Sequence, residues 1–149
     1  MGIHLTLVAL GAISNDGGST PISAVRAALA KLGIELPDLQ DGEHDVYLEN
    51  PESSNPHVSE DASFSVAGGG VTHIGIFRPC SLGIRALCYE LMASGFIIAS
   101  SESLPYATVE ALRNFPVLSD KRQFPHGFIS ISGPDDFLWV TNVTIVGSV

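Results

Sequence analysis

A chain of 149 residues, 45% apolar and 15% charged, is long enough to bury a core as one domain and too hydrophobic to remain disordered. Its 16 acidic residues against seven lysines and arginines leave a net charge of −9, which disfavours nucleic-acid binding because phosphate backbones would be repelled. The longest apolar runs, such as Phe96–Ala99 and Val143–Val146, fall far below the roughly 20 residues that span a bilayer, so no membrane span is expected.

The segment from Met1 to Leu7 has no basic leader region and alternates apolar with polar side chains, which predicts a first strand over about Ile3–Leu10 and a cytoplasmic address. A turn-rich loop, Ser14-Asn15-Asp16-Gly17-Gly18-Ser19, precedes a helix. Thr20 suits the N-cap and Pro21 the first helical position, while Ile22, Val25, Leu29 and Leu32 recur at helical spacing until Gly33. That loop matches no phosphate-binding pattern, and a turn with a cap accounts for it.

An acidic, loop-rich segment of about 34–61 follows, broken by Pro37, Pro51 and Pro56, with Asp45–Glu49 as a short edge strand. Ala62–Ala67 and Val71–Phe77 read as a hairpin whose Gly68-Gly69-Gly70 turn supplies positive φ. Ile84, Leu87, Cys88, Leu91 and Met92 form a second amphipathic stripe closed by Gly95, and Phe96–Ser100 re-enters the sheet. A third, shorter helix is expected over Pro105–Asn114 with Val109 and Leu112 inward, then strands over Phe128–Ile131 and Phe137–Val146. His4-Leu5-Thr6-Leu7 is echoed by His73-Ile74-Gly75-Ile76, and each main helix closes on a glycine followed by an apolar residue. The expected fold is a single α+β domain: a mixed or mainly antiparallel sheet with two main helices and one short helix packed on one face, of the split-βαβ kind.

The charge is concentrated. Between Lys31 and Arg78 there is no lysine or arginine, yet nine carboxylates stand there: Glu35, Asp38, Asp41, Glu43, Asp45, Glu49, Glu52, Glu60 and Asp61. Removing these nine from the 16 acids leaves seven, which equals the number of lysines and arginines, so the rest of the chain is neutral. Such a field favours encounter with a cationic partner. Asp41, Glu43, Asp45, Glu49 and Glu52 are the candidate partner-binding residues. The same window spaces acids like an EF-hand loop, but Val46 replaces the required glycine and Pro51 intrudes, so no calcium site is expected.

Cys80-Ser81-Leu82-Gly83-Ile84-Arg85 follows a strand and opens a helix, where amide groups and a guanidinium can stabilise a thiolate. These six residues resemble the active-site loop of rhodanese-type sulfurtransferases, with cysteine after a strand, glycine three residues on and arginine five on. The resemblance implies Cys80 as nucleophile and Arg85 holding an anionic substrate. The Asp-Val-Arg of that family has only Asp45-Val46-Tyr47 to answer it. Cys80 and Cys88 are not expected to form a disulfide. Histidines 4, 44, 57, 73 and 126 lack any local zinc spacing, though His4 and His73 with Cys88 or Glu90 are the residues to inspect for convergence. No metal or cofactor is expected.

Three functions compete. The first is a non-enzymatic acidic binding protein that neutralises a basic protein partner, as an immunity or antitoxin-type inhibitor does. The second is a small cysteine-dependent enzyme built on Cys80 and Arg85. The third is a structural or assembly subunit that associates with its own copies through a strand edge or through the aromatic strands bearing Phe124, Phe128, Phe137 and Trp139.

Overall fold

Residues 4–14, 18–99 and 104–137 are described by the computed structural model, in which the alternating segment His4–Ala9 becomes β1 near the middle of one sheet. The helical elements are α1 (Leu10–Ser14), α2 (Ile22–Ala30), α3 (Ile84–Ala93) and α4 (Val109–Asn114). The other strands are β2 (Thr20–Pro21), β3 (Gly42–Glu49), β4 (Ser59–Ala67), β5 (Gly70–Phe77), β6 (Phe96–Ala99), β7 (Tyr106–Thr108) and β8 (Ile129–Ile131). The strand order is β3-β4-β5-β1-β6-β7-β8, with β2 paired to β5. Among the described residues every pairing is antiparallel except β7 with β8, so the sheet is mixed and mainly antiparallel, as the pattern predicts.

The units β1-α2-β4 and β5-α3-β6 interleave, each pair of strands separated by one strand of the other unit. This is the split-βαβ arrangement. The internal echo lies at its centre: Thr6 pairs with Gly75, His4 with Phe77 and His73 with Val8. Each histidine therefore stands opposite the residue four places beyond the other, which is the relation of a local two-fold axis passing between Thr6 and Gly75.

Local chemistry explains most boundaries. Gly68 and Gly69 both take positive φ, 60° and 78°, as a tight hairpin between right-twisting strands requires. Ile84, Leu87, Cys88, Leu91 and Met92 are all buried, and Gly95 stops α3 at φ 133°. The α2 entry departs from expectation. Thr20 does not cap the helix; its hydroxyl donates to the Gly95 carbonyl at 2.9 Å while Thr20–Pro21 extends along the part of β5 that β1 leaves unpaired. Thr108 caps α4 instead, accepting from the Ala111 amide at 3.0 Å, and Ala111 rather than Val109 is the buried residue there. The expected third helix is shorter because Tyr106–Thr108 pairs in the sheet. Leu10–Ser14 is a helical turn and β3 spans eight residues where a five-residue edge strand was expected. The strand expected over 137–146 lies, beyond Phe137, outside the described residues, as does Trp139.

The two faces of the sheet differ. Leu5, Leu7, Phe64, Ile74, Ile76 and Ile98 point to α2 and α3, meeting Val25, Leu29, Leu87 and Leu91 in the main core. Val8 and Ile97 are cross-strand neighbours on the opposite face, packed with Leu10, Ala107, Ala111 and Leu118. The short α4 thus lies on the opposite face from the two main helices, and it covers only the β1, β6 and β7 side.

Asn50 ties the loop after β3 to the body. Its buried side chain donates to the carbonyls of Leu32 (2.8 Å) and Pro56 (3.0 Å) and accepts from the Val58 amide (2.9 Å). Asn50→Ala strands these groups and should cost roughly 2–4 kcal/mol in urea unfolding. Asn50→Asp, which turns a donor into an acceptor facing two carbonyls, should cost at least as much; unchanged midpoints in both variants contradict this account.

Candidate functional site

Strand alternation and register decide what the uncovered part of the sheet displays. Tyr47, Asp61, Phe77 and His4 form one cross-strand row; Asp45, Ser63, Gly75 and Thr6 form the next; Glu43, Ser65 and His73 form a third. Glu49 lies beyond the first row, opposite Ser59. Glu43, Asp45, Glu49 and Asp61 are exposed, and so are the rings of Tyr47 (54%) and Phe77 (40%). The Tyr47 hydroxyl is hydrogen-bonded to Ser59 Oγ, and the Phe77 ring meets His4 edge-on at 4.7 Å. A cleft of about 820 Å³ opens at this end of the sheet, lined by Asp45, Tyr47, Asp61 and Phe77 with Glu60, Arg78 and Cys80 at its side.

Of the five partner-binding candidates, Glu43, Asp45 and Glu49 share the open face of β3, while Asp41 and Glu52 flank the strand in exposed turns. Among the described residues the ion pairs are Arg26 with Asp38, Lys31 with Glu90, Arg85 with Asp135 and Arg122 with Asp120, each at 3.6 Å. None involves Glu43, Asp45, Glu49 or Asp61. The same-side carboxylates of an extended strand recur only every two residues, about 6.6–6.8 Å, so this strand does not wrap a cation as a calcium loop does. No group of three metal-binding side chains occurs among the described residues. His4 and His73 sit on the open face, Cys88 is sealed in the main core, and Glu90 pairs with Lys31, so these four do not converge.

The Cys80 loop has a different anchor from the one its sequence suggests. Glu60, 2% exposed, accepts hydrogen bonds from the amides of Cys80 (3.2 and 3.3 Å) and Ser81 (2.8 Å), and from the Ser81 hydroxyl. A side chain of the protein therefore occupies the amide groups that would otherwise receive a thiolate or a substrate anion. Desolvation, followed by the charges of Glu60 and Asp61, pushes the Cys80 thiol up from its usual range, opposite to what a neutral-pH nucleophile needs. Gly83 is explained by packing: its amide donates to the His57 carbonyl at 2.8 Å, and an added Cβ would lie 2.5 Å from that oxygen. Arg85 reaches Asp135. Charge counting places Glu60 with the other acids of the segment and misses that it is buried, although it falls in phase with the inward Ala62, Phe64 and Val66 of β4.

No protein-family model, no curated protein and no solved structure matches this chain.

Two outcomes follow from the thiols and Glu60. Alkylation of Cys80 in the folded protein should have its midpoint above the ordinary thiol pKa of about 8.5, and Glu60→Gln should lower that midpoint while costing roughly 2–4 kcal/mol in urea because charge-assisted bonds are lost. A Cys80 midpoint below that of a free thiol refutes the account. Cys88 is fully buried, and burial pushes its thiol far up. Its contribution to stability is complete below the unfolded thiol pKa and is lost as pH rises above it. Unfolding free energy should therefore fall above about pH 8.5, by at most about 1.4 kcal/mol per pH unit from this group. Cys88→Ala should be less stable at pH 7 yet lack that part of the slope; identical slopes in the two proteins would rule it out.

Proposed function

We propose that this chain is a non-enzymatic binding protein that neutralises a basic protein partner, in the manner of an immunity or antitoxin-type inhibitor. The observation that carries the reading is the open face of β3 and β4. There, Glu43, Asp45, Glu49 and Asp61 are exposed side by side, and among the described residues no cation is paired to them. Aligned carboxylates on a rigid strand raise the encounter rate with a cationic surface, and the adjoining Tyr47 and Phe77 add apolar area that charges alone would not hold in place. Occupation of a cationic active site by such a face is a direct route to inhibition.

The support for this reading over the Cys80 alternative is chemical. Glu60 fills the amide groups of the loop, and the nearby carboxylates disfavour both a thiolate and an anionic substrate.

Co-purification from the native host supplies the partner for the decisive measurement. Glu43→Gln, Asp45→Asn, Glu49→Gln and Glu52→Gln combined should leave the fold intact and slow association with that partner about tenfold or more at low ionic strength, with a smaller effect at high salt. Association rates equal to those of the unsubstituted protein at low salt overturn the proposal.

A further inference from the structure

The acidic face contains one arrangement that attraction between opposite charges does not require. Tyr47, Asp61 and Phe77 are consecutive neighbours across β3, β4 and β5, so two aromatic side chains flank a carboxylate in a single row. The backbones bearing the rings are two strand spacings apart, about 9–10 Å. Both rings are left exposed on a sheet whose other face is densely packed, and both are held: Tyr47 through its hydroxyl to Ser59, Phe77 against the edge of His4. They open into the cleft of about 820 Å³ that Asp45 and Asp61 also line.

We infer that this cleft receives an arginine side chain of the partner; the inference rests on the reading that the acidic face meets a basic protein. A guanidinium is flat, delocalised and weakly hydrated. It can lie against an aromatic face while its fork of N–H donors engages a carboxylate. A lysine ammonium is a compact, strongly hydrated charge that gains little from a pair of rings. The row therefore discriminates between the two basic side chains where simple charge does not. The chain's own guanidinium at the rim, Arg78, is exposed and makes no ion pair with Asp45 or Asp61 among the described residues, leaving both carboxylates to the guest. Glu60 takes no part, because its oxygens are engaged by Cys80 and Ser81.

The test uses two hexapeptides, one alternating glycine with arginine and one alternating glycine with lysine, titrated into the full chain and followed by the NMR shifts of its backbone amides. The peptides carry equal charge, so attraction to the face alone treats them alike. The arginine peptide should bind about threefold to tenfold more tightly, with the largest shifts around residues 47, 61 and 77. Tyr47→Leu and Phe77→Leu, whose folding is checked by circular dichroism, should each reduce that ratio and together bring it to one, with the lysine peptide little affected. Equal affinities for the two peptides, a ratio that survives both substitutions, or binding of neither peptide overturns the arginine slot. The acidic-face reading is decided separately, by the association rates with the natural partner.

Discussion

The pairing of β1 with β5 is the constraint from which the rest of the architecture follows. Because the two strands run antiparallel about a point between Thr6 and Gly75, their following helices must return over the same face, and α2 and α3 pack there side by side. The outer strands are then distributed to the two ends, β4 and β3 beyond β5, β6 to β8 beyond β1. The second face receives only what the C-terminal half can supply. Val8, Ile97 and Ala107 anchor α4 and the turns after it, and nothing among the described residues reaches across to β3 and β4. The open acidic surface is thus a result of chain order: the apolar cover is at one end of the sheet and the carboxylates are at the other.

Glu60 shows that a carboxylate in the acidic segment need not belong to the surface field. Burying an ionised carboxylate is costly unless donors replace its water, and here the amides of Cys80 and Ser81 with the Ser81 hydroxyl do so. It also lies by the turn that leads into α3, where a negative charge is favoured by the helix dipole. This one side chain links β4 to the entrance of α3, and its charge adds to burial, the larger cause, in raising both thiols. The loop that resembles a sulfurtransferase site at the level of residue spacing is a structural joint at the level of contacts: Glu60 holds its amides, His57 presses on Gly83 and Asp135 meets Arg85.

What could be read from the sequence was what local pattern encodes. The α3 stripe, the glycine hairpin and the mainly antiparallel sheet are legible because each is written within a dozen residues. The location of the charge is legible for the same reason. Features that depend on distant partners are not. Thr20 is an ordinary cap by its neighbours, but the unpaired end of β5 and the Gly95 carbonyl draw it into the sheet. Arg85 finds its partner fifty residues on, in Asp135. The length of β3 is masked by its polar face, since an edge strand with only one apolar side shows weak hydrophobicity; Leu48 alone is fully buried there. The division of the acids into a paired Asp38, an inward Glu60 and an outward row needs the register, although the alternation of Glu60 with Ala62, Phe64 and Val66 carries part of that signal.

The exposed edge of β3 has a consequence for how copies of this chain treat one another. Eight residues of edge strand, with no partner on one side among the described residues, form a template for another strand. Two β3 strands brought together antiparallel about Val46 would set Glu43 opposite Glu49 twice, and like charges facing each other across a ladder oppose pairing. A strand bearing basic residues at those positions meets no such opposition. The carboxylates proposed to draw in a basic partner would therefore also oppose the pairing of two copies through this edge, so that attraction and self-avoidance would rest on the same short row of side chains.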